Sequence, residues 1–160
     1  MIIVLSSCSE TKKIRHDFFK IPNECEIKVE FDGAEYVLGL NLESDSDITL
    51  TFIKPENLRD MQLCLKDGNT VLKYHGVDIK IDGDYAKNNG LLLLRHIFLS
   101  DKKDFDSASI VKISGVKYCR QRYKNAGNTV DIYFTDESEL PYMVEAEING
   151  RSLRVTFVNE

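Results

Sequence analysis

The residues able to do chemistry are few and far apart. Of the three histidines, His16 lies near the start, His75 sits in Tyr74-His75-Gly76, and His96 follows Arg95 in an apolar run. A catalytic imidazole needs a nucleophile or carboxylate held beside it. No Gly-x-Ser-x-Gly elbow accompanies any of the three, and His96 reads as a helix-terminal or surface histidine. The acidic stretches Ser44–Asp47 and Asp78–Asp84 lack the alternating Asp positions and distal Glu that surround a calcium ion with oxygens, so they read as solvated turns. Cys8, Cys25, Cys64 and Cys119 include no Cys-x-x-Cys pair, so zinc or thioredoxin-type chemistry has no ligand set. Lys117, Arg120, Arg122 and Lys124 make a local basic strip. With a period of two, Arg120, Arg122 and Lys124 share one strand face: either a contact for an acidic partner or glycan phosphate, or a solvated surface. From these residues neither an enzyme activity nor a cofactor or metal is expected.

Composition narrows the class. The 160 residues are 42% hydrophobic and 29% charged, which is enough apolar material for the core of one domain. Lys plus Arg number 21 against 26 Asp plus Glu, a net charge of -5. A nucleic-acid binder needs a basic surface to displace phosphate counterions, and docking on an anionic membrane needs one too, so both are disfavoured. No apolar run approaches the ~20 residues of a membrane-spanning helix.

The opening Met1-Ile2-Ile3-Val4-Leu5-Ser6-Ser7-Cys8 ends in the form of a lipobox, in which a small extended tripeptide is cleaved and the Cys thiol takes a lipid. A secretory leader carries a basic segment and roughly 7–15 apolar residues. This chain shows only the end of such a stretch, so the true start is expected upstream. The other reading is a short buried strand with Cys8 as a core thiol. On the lipobox reading, residues 1–7 are a partial lipoprotein signal segment, 8–20 a polar tether and 21–160 a single β domain. Membrane attachment then runs through lipidated Cys8, outside the cytoplasm. Cys25, Cys64 and Cys119 remain as one disulfide at most, or as three strand thiols.

The elements that position these residues are strands. Cys25, Ile27, Val29 and Phe31 alternate with Glu24, Glu26, Lys28 and Glu30, giving one dry and one wet face. Asp32-Gly33 is a hairpin signal. Strands follow over Tyr36–Leu42, Ile48–Phe52 (ended by Pro55), Met61–Leu65, Val71–Tyr74 and Val77–Ile81. They resume at Ile110–Ile113, continue through Val116–Tyr123, and return at Val130–Phe134, Val144–Ile148 and Leu153–Phe157, with Asn149-Gly150 as the strongest turn signal. Between the two sets, Leu91–Leu99 is too continuously apolar for a half-exposed strand, and the spacing predicts a helix over about 89–100. Nine or ten strands with one apolar helix imply a mainly β (α+β) fold: a large curled antiparallel sheet, or half-open β-barrel, with the helix on its concave side. Phe52, Leu63, Leu65, Leu94, Ile97 and Phe98 would line the space between sheet and helix, as the wall of an apolar-ligand cavity or as an ordinary packed core.

Several of these features together resemble a known family. The Leu5–Cys8 lipobox, the strand running into Pro55-Glu56-Asn57-Leu58, the Tyr74-His75-Gly76 turn, the single helix and Leu140-Pro141 before the last hairpin look like the LolA-like superfamily. Within it, the chain is most similar to small Gram-positive surface lipoproteins, the branch that includes the germination lipoprotein GerS. The resemblance implies an unclosed antiparallel barrel with helical material on its concave side. It implies either carriage of lipid or lipoprotein acyl chains in an open hydrophobic cavity, or contact with an envelope protein such as a cell-wall enzyme.

Overall fold

Alternation of apolar and polar residues at a period of two requires a sheet with one buried face, and the chain meets that requirement almost throughout. A computed structural model describes residues 23–44, 47–66, 69–82, 94–98, 104–125, 128–135, 140–148 and 150–158. Its strands are β1 (Glu24–Phe31), β2 (Ala34–Ser44), β3 (Asp47–Lys54), β4 (Gln62–Lys66), β5 (Asn69–Tyr74), β6 (Val77–Ile81), β7 (Asp104–Ile113), β8 (Val116–Asn125), β9 (Asn128–Phe134), β10 (Pro141–Ile148) and β11 (Arg151–Val158). All lie in one antiparallel sheet in the order β6-β5-β4-β3-β2-β1-β11-β10-β9-β8-β7. The sheet is thus two meanders, β1–β6 and β7–β11, joined at its centre by the first and last strands. Ile27 pairs with Phe157, Val29 with Val155 and Phe31 with Leu153 across that joint. β6 and β7 remain as the two free edges, so the sheet is open.

Turn chemistry fixes the register. Asp32-Gly33, His75-Gly76 and Ser114-Gly115 each place two successive residues at positive φ, between 47° and 86°. That is the type I′ geometry whose twist matches the strands it joins. After β3, Pro55 closes the strand and Glu56–Leu58 form a 3-10 turn, with the Leu58 amide donating to the Pro55 carbonyl at 3.0 Å. Leu58 thereby swings onto the edge of the core.

Register carries one apolar face across the sheet. Leu63 and Leu65 stand opposite Leu72 and Thr70, Leu38 and Leu40 opposite Phe52 and Leu50, and Val144 and Ala146 opposite Ile132 and Val130. This inner face holds the main core cluster. The 22 residues between β6 and β7 must bring the chain from one edge of the sheet to the other. Ten strand spacings of ~4.8 Å make about 48 Å, within the ~75 Å that such a segment can reach. The described part of that connection, helix α1 (Leu94–Phe98), lies on the inner face with Leu94 and Ile97 fully buried.

Three expectations change. The described residues hold eleven strands instead of nine or ten, and Ser114-Gly115 makes a turn between Ile110–Ile113 and Val116–Tyr123 where none was expected. β7 also begins six residues earlier than Ile110, through the polar edge sequence Asp104–Ser109, whose pairing to β8 needs no apolar alternation. The long apolar helix over 89–100 is not seen: within that range only 94–98 is described, as a five-residue helical segment. A helix that short has no stability of its own and holds its shape by packing on the sheet. Leu94 and Ile97 are apolar because the sheet buries them, and this says little about the length of a helix. The lipobox with Cys8, the tether and His16 lie outside the described residues.

Candidate functional site

The inner face gathers the apolar candidates. Phe52 (β3), Leu63 and Leu65 (β4), and Leu94 and Ile97 (α1) are buried in one cluster, and Phe98 packs against it half-buried. The Phe98 ring meets Phe157 edge-on with centroids 6.4 Å apart, and Tyr36 meets Phe52 likewise at 6.0 Å. The same face then continues past the buried cluster to the β6 edge. Tyr74 and Ile79 stand opposite Val77 and Leu72, yet Val77 is 57% and Ile79 52% exposed. An apolar surface therefore runs from the core to open solvent without a break in register. Gln121 and Tyr123 set a polar pair in this face on β8, both buried, with the Tyr123 hydroxyl donating to Gln121 Oε1 at 2.9 Å. Alternation along β8 turns them away from Arg120 and Arg122, and Gln121 was not among the sequence candidates.

The opposite, outer face is built from charge. One cross-strand row runs Glu35, Glu30, Arg154, Glu145, Asp131, Arg122 and Ser107 across seven strands. Arg122 holds Asp131 through two bonds of 2.7 and 2.6 Å. Arg154 reaches Glu145 through Nε and Nη2 at 3.0 and 2.8 Å and Glu30 through Nη1 at 3.4 Å. Tyr133 donates to the other oxygen of Glu145 at 2.7 Å. Burial, followed by that hydrogen bond, pushes the Tyr133 hydroxyl well above its ordinary pKa. The bonds to Asp131 and Glu145 likewise raise Arg122 and Arg154. The row does not alternate in sign: Glu35 faces Glu30 and Asp131 faces Glu145 as like charges, and the opposite-charge contacts are those that Arg154 and Arg122 make. No group able to hold a metal ion forms among the described residues.

Two grooves open on this face. The first, about 650 Å³, lies beside the β1–β2 turn and is lined by six carboxylates, Asp32, Glu35 and Glu147 among them, against Arg122 and Arg154. The second, about 590 Å³, has an aromatic and aliphatic wall of Val111, Ile113, Tyr133, Tyr142 and Met143, facing Lys28, Arg154 and Thr156. Tyr118, Tyr133 and Met143 form a second, smaller buried cluster here, and Tyr142 stacks on Tyr118 at 5.0 Å. Sequence reading missed this cluster because β9 is buried on both faces, so alternation assigns Asp131 and Tyr133 to solvent. Of the basic strip, Arg122 is paired to Asp131 and Lys124 to Asp106 at 2.9 Å. His75 lies in the β5–β6 turn with its ring 4.1 Å from that of Tyr74.

No protein-family model matches the chain, and no curated protein matches it either. Among solved structures, a putative outer membrane lipoprotein-sorting protein domain from Vibrio parahaemolyticus is similar at a TM-score of 0.50 and 9% identity, over 85% of this chain and 83% of that one. A LolA superfamily protein from Nitrosomonas europaea matches at 0.45 and 11%, over 88% and 87%. The Mycobacterium tuberculosis lipoprotein LppX matches at 0.44 and 7%, over 85% of each chain. The fold is like that of the Vibrio parahaemolyticus domain: one large, open, antiparallel sheet.

Cys25, Cys64 and Cys119 are free thiols. Cys25 faces inward on β1 opposite Leu40, and burial pushes its thiol up from 9.0 to about 11. Folding thus favours the neutral thiol, a stabilisation fully present below pH 9.0 and lost as pH rises through about 11. At pH 8 the folded chain should carry about a hundredfold less Cys25 thiolate than the unfolded one. Iodoacetamide alkylation, followed by peptide-resolved mass spectrometry, should be slower at Cys25 by that order in buffer than in urea; equal rates would contradict its burial.

Proposed function

We propose that this protein is a non-enzymatic, lipid-anchored lipoprotein of the bacterial cell envelope that binds an apolar ligand or a partner protein over the inner face of its open sheet. One observation carries the reading: the apolar face reaches solvent at the β6 edge through Val77 and Ile79 instead of ending under cover. Burying such side chains is worth about 25 cal/mol per Å², so an exposed margin continuous with the core favours an apolar occupant. Phe52, Leu63, Leu65, Leu94, Ile97 and Phe98 form the inner end of that surface. The likeness to a putative lipoprotein-sorting domain supports the carrier version, in which the occupant is an acyl chain. The closer resemblance to the GerS branch supports the other version, in which an envelope protein such as a cell-wall enzyme docks there. Anchoring rests on Leu5-Ser6-Ser7-Cys8.

Native mass spectrometry of the full chain after mild extraction distinguishes the two versions. A carrier retains an acyl-bearing ligand, and Val77→Glu with Ile79→Glu should empty it. A bare mass, together with no enhancement of an anilinonaphthalene sulfonate probe, would remove apolar-ligand binding. For the anchor, Cys8→Ala should move the full-length protein from the membrane to the soluble fraction. Unchanged fractionation would refute lipidation at Cys8.

A further inference from the structure

A strand has two hydrogen-bonding edges, and among the described residues β6 uses only the one facing β5. The type I′ turn at His75-Gly76 makes Tyr74 and Val77 a hydrogen-bonded pair, and the ladder alternates from there. Val77, Ile79 and Ile81 therefore turn their backbone groups towards β5, while Asp78 and Lys80 turn theirs outward. Side chains alternate as well: Val77, Ile79 and Ile81 lie on the inner face, Asp78 and Lys80 on the outer one. The two free edges are not alike. β7 carries a register shift between Phe105 and Ser107, a bulge of the kind that turns an edge away from further pairing. β6 pairs with β5 without a shift, contains no proline, and leaves Val77 and Ile79 more than half exposed. Run antiparallel, the segment Val77-Asp78-Ile79-Lys80-Ile81 is complementary to itself. With Ile79 on a two-fold axis, Asp78 faces Lys80 of the other copy twice over, and Val77 faces Ile81. The hydrogen bonds allow this register, because Asp78 and Lys80 carry the outward amides. A slip of one residue would put apolar side chains on the charged face. A slip of two would set Asp78 against Asp78 or Lys80 against Lys80. Asp78 already meets Lys73 at 3.9 Å, yet its side chain stays 62% exposed and open to a second cation.

We propose that β6 pairs edge to edge with β6 of a second copy of this chain, forming an antiparallel two-fold dimer centred on Ile79. The two inner faces then join into one apolar surface across the axis, and the exposed Val77 and Ile79 gain apolar neighbours there. The contact closes on itself, so it makes a pair and not a fibre. Five residues a side bury far less than the ~1,600 Å² of a standard interface, which puts the dissociation constant on the order of 0.1 mM. In dilute solution the β6 edge therefore stays open. This dimer shares the exposed margin of the proposed function but needs no ligand, anchor or further partner.

Sedimentation velocity of the full chain tests the proposal, with monomer expected at about 10 μM and dimer at about 1 mM. Asp78→Lys and Lys80→Asp, both at exposed positions, should each weaken dimerisation about tenfold or more by opposing like charges. An equimolar mixture of the two variants should dimerise as the unaltered chain does, because each supplies the charge that the other lacks. The chain carrying both exchanges should recover as well. A dispersed amide spectrum shows that each variant has folded. A chain that is monomeric at every concentration, dimers indifferent to both single exchanges, no recovery in the mixture, or growth beyond the dimer would each overturn it. Anilinonaphthalene sulfonate binding to the monomeric variants reads the inner face alone. Its loss counts against the proposed function and leaves the dimer standing.

Discussion

The fold depends on keeping one apolar face of an eleven-stranded open sheet out of water. No sheet of this width can leave such a face wet, and the two meanders cannot do the work separately. They become one surface because β1 and β11 pair at the centre, where Ile27, Val29 and Val155 are fully buried and Phe157 nearly so. Cover then declines towards the edges: Leu63 and Leu65 on β4 are still enclosed, while Val77 and Ile79 on β6 are not. The partial cover supplied by α1 follows from the topology, since the chain leaves the sheet at one edge and re-enters at the other. The gradient from closed centre to open margin makes an apolar binding surface out of what would otherwise be only a core.

The outer face solves a different problem. It carries only a small apolar cluster, around Tyr118, Tyr133 and Met143, and beside it Arg122 and Arg154 tie the acids of neighbouring strands together. Arg122 and Asp131 form the tightest of these contacts, and Glu145 is held by both Arg154 and Tyr133. Such pairs contribute modestly where solvent reaches them. A slipped strand would separate Arg122 from Asp131 and Arg154 from Glu145, leaving the facing acids Asp131 and Glu145 without their cations.

Alternation along the chain made most of the strands legible. Residues 24–31 show the clean in-and-out pattern, and Asp32-Gly33 and His75-Gly76 are type I′ turns at the places where glycine follows a polar residue. A period of two carries no information about which strand is a partner, so the β1–β11 joint could not be read from it. Ser114-Gly115 separates Ile110–Ile113 from Val116–Tyr123 in the sequence, but the sign of φ at these two residues, which makes them a tight hairpin turn, is visible only in the structure. The outer groove was hidden for a related reason: Tyr133, Met143 and Asp131 are buried on the face that alternation assigns to water. The apolar candidates were legible by type, and the structure places all six in one layer. Composition alone could not show that this layer extends to an exposed edge.

Openness of the sheet is the claim on which the rest stands, and amide hydrogen exchange on the full chain measures it most directly. The account predicts the slowest exchange at Ile27, Val29 and Val155, with the outward-pointing amides of β6 and β7 exchanging faster by about a hundredfold or more. Protection at Val77–Ile81 and Ser107–Ile113 equal to that at the centre would mean that the two edges are paired. The sheet would then be a closed barrel, and the exposed apolar margin would not exist.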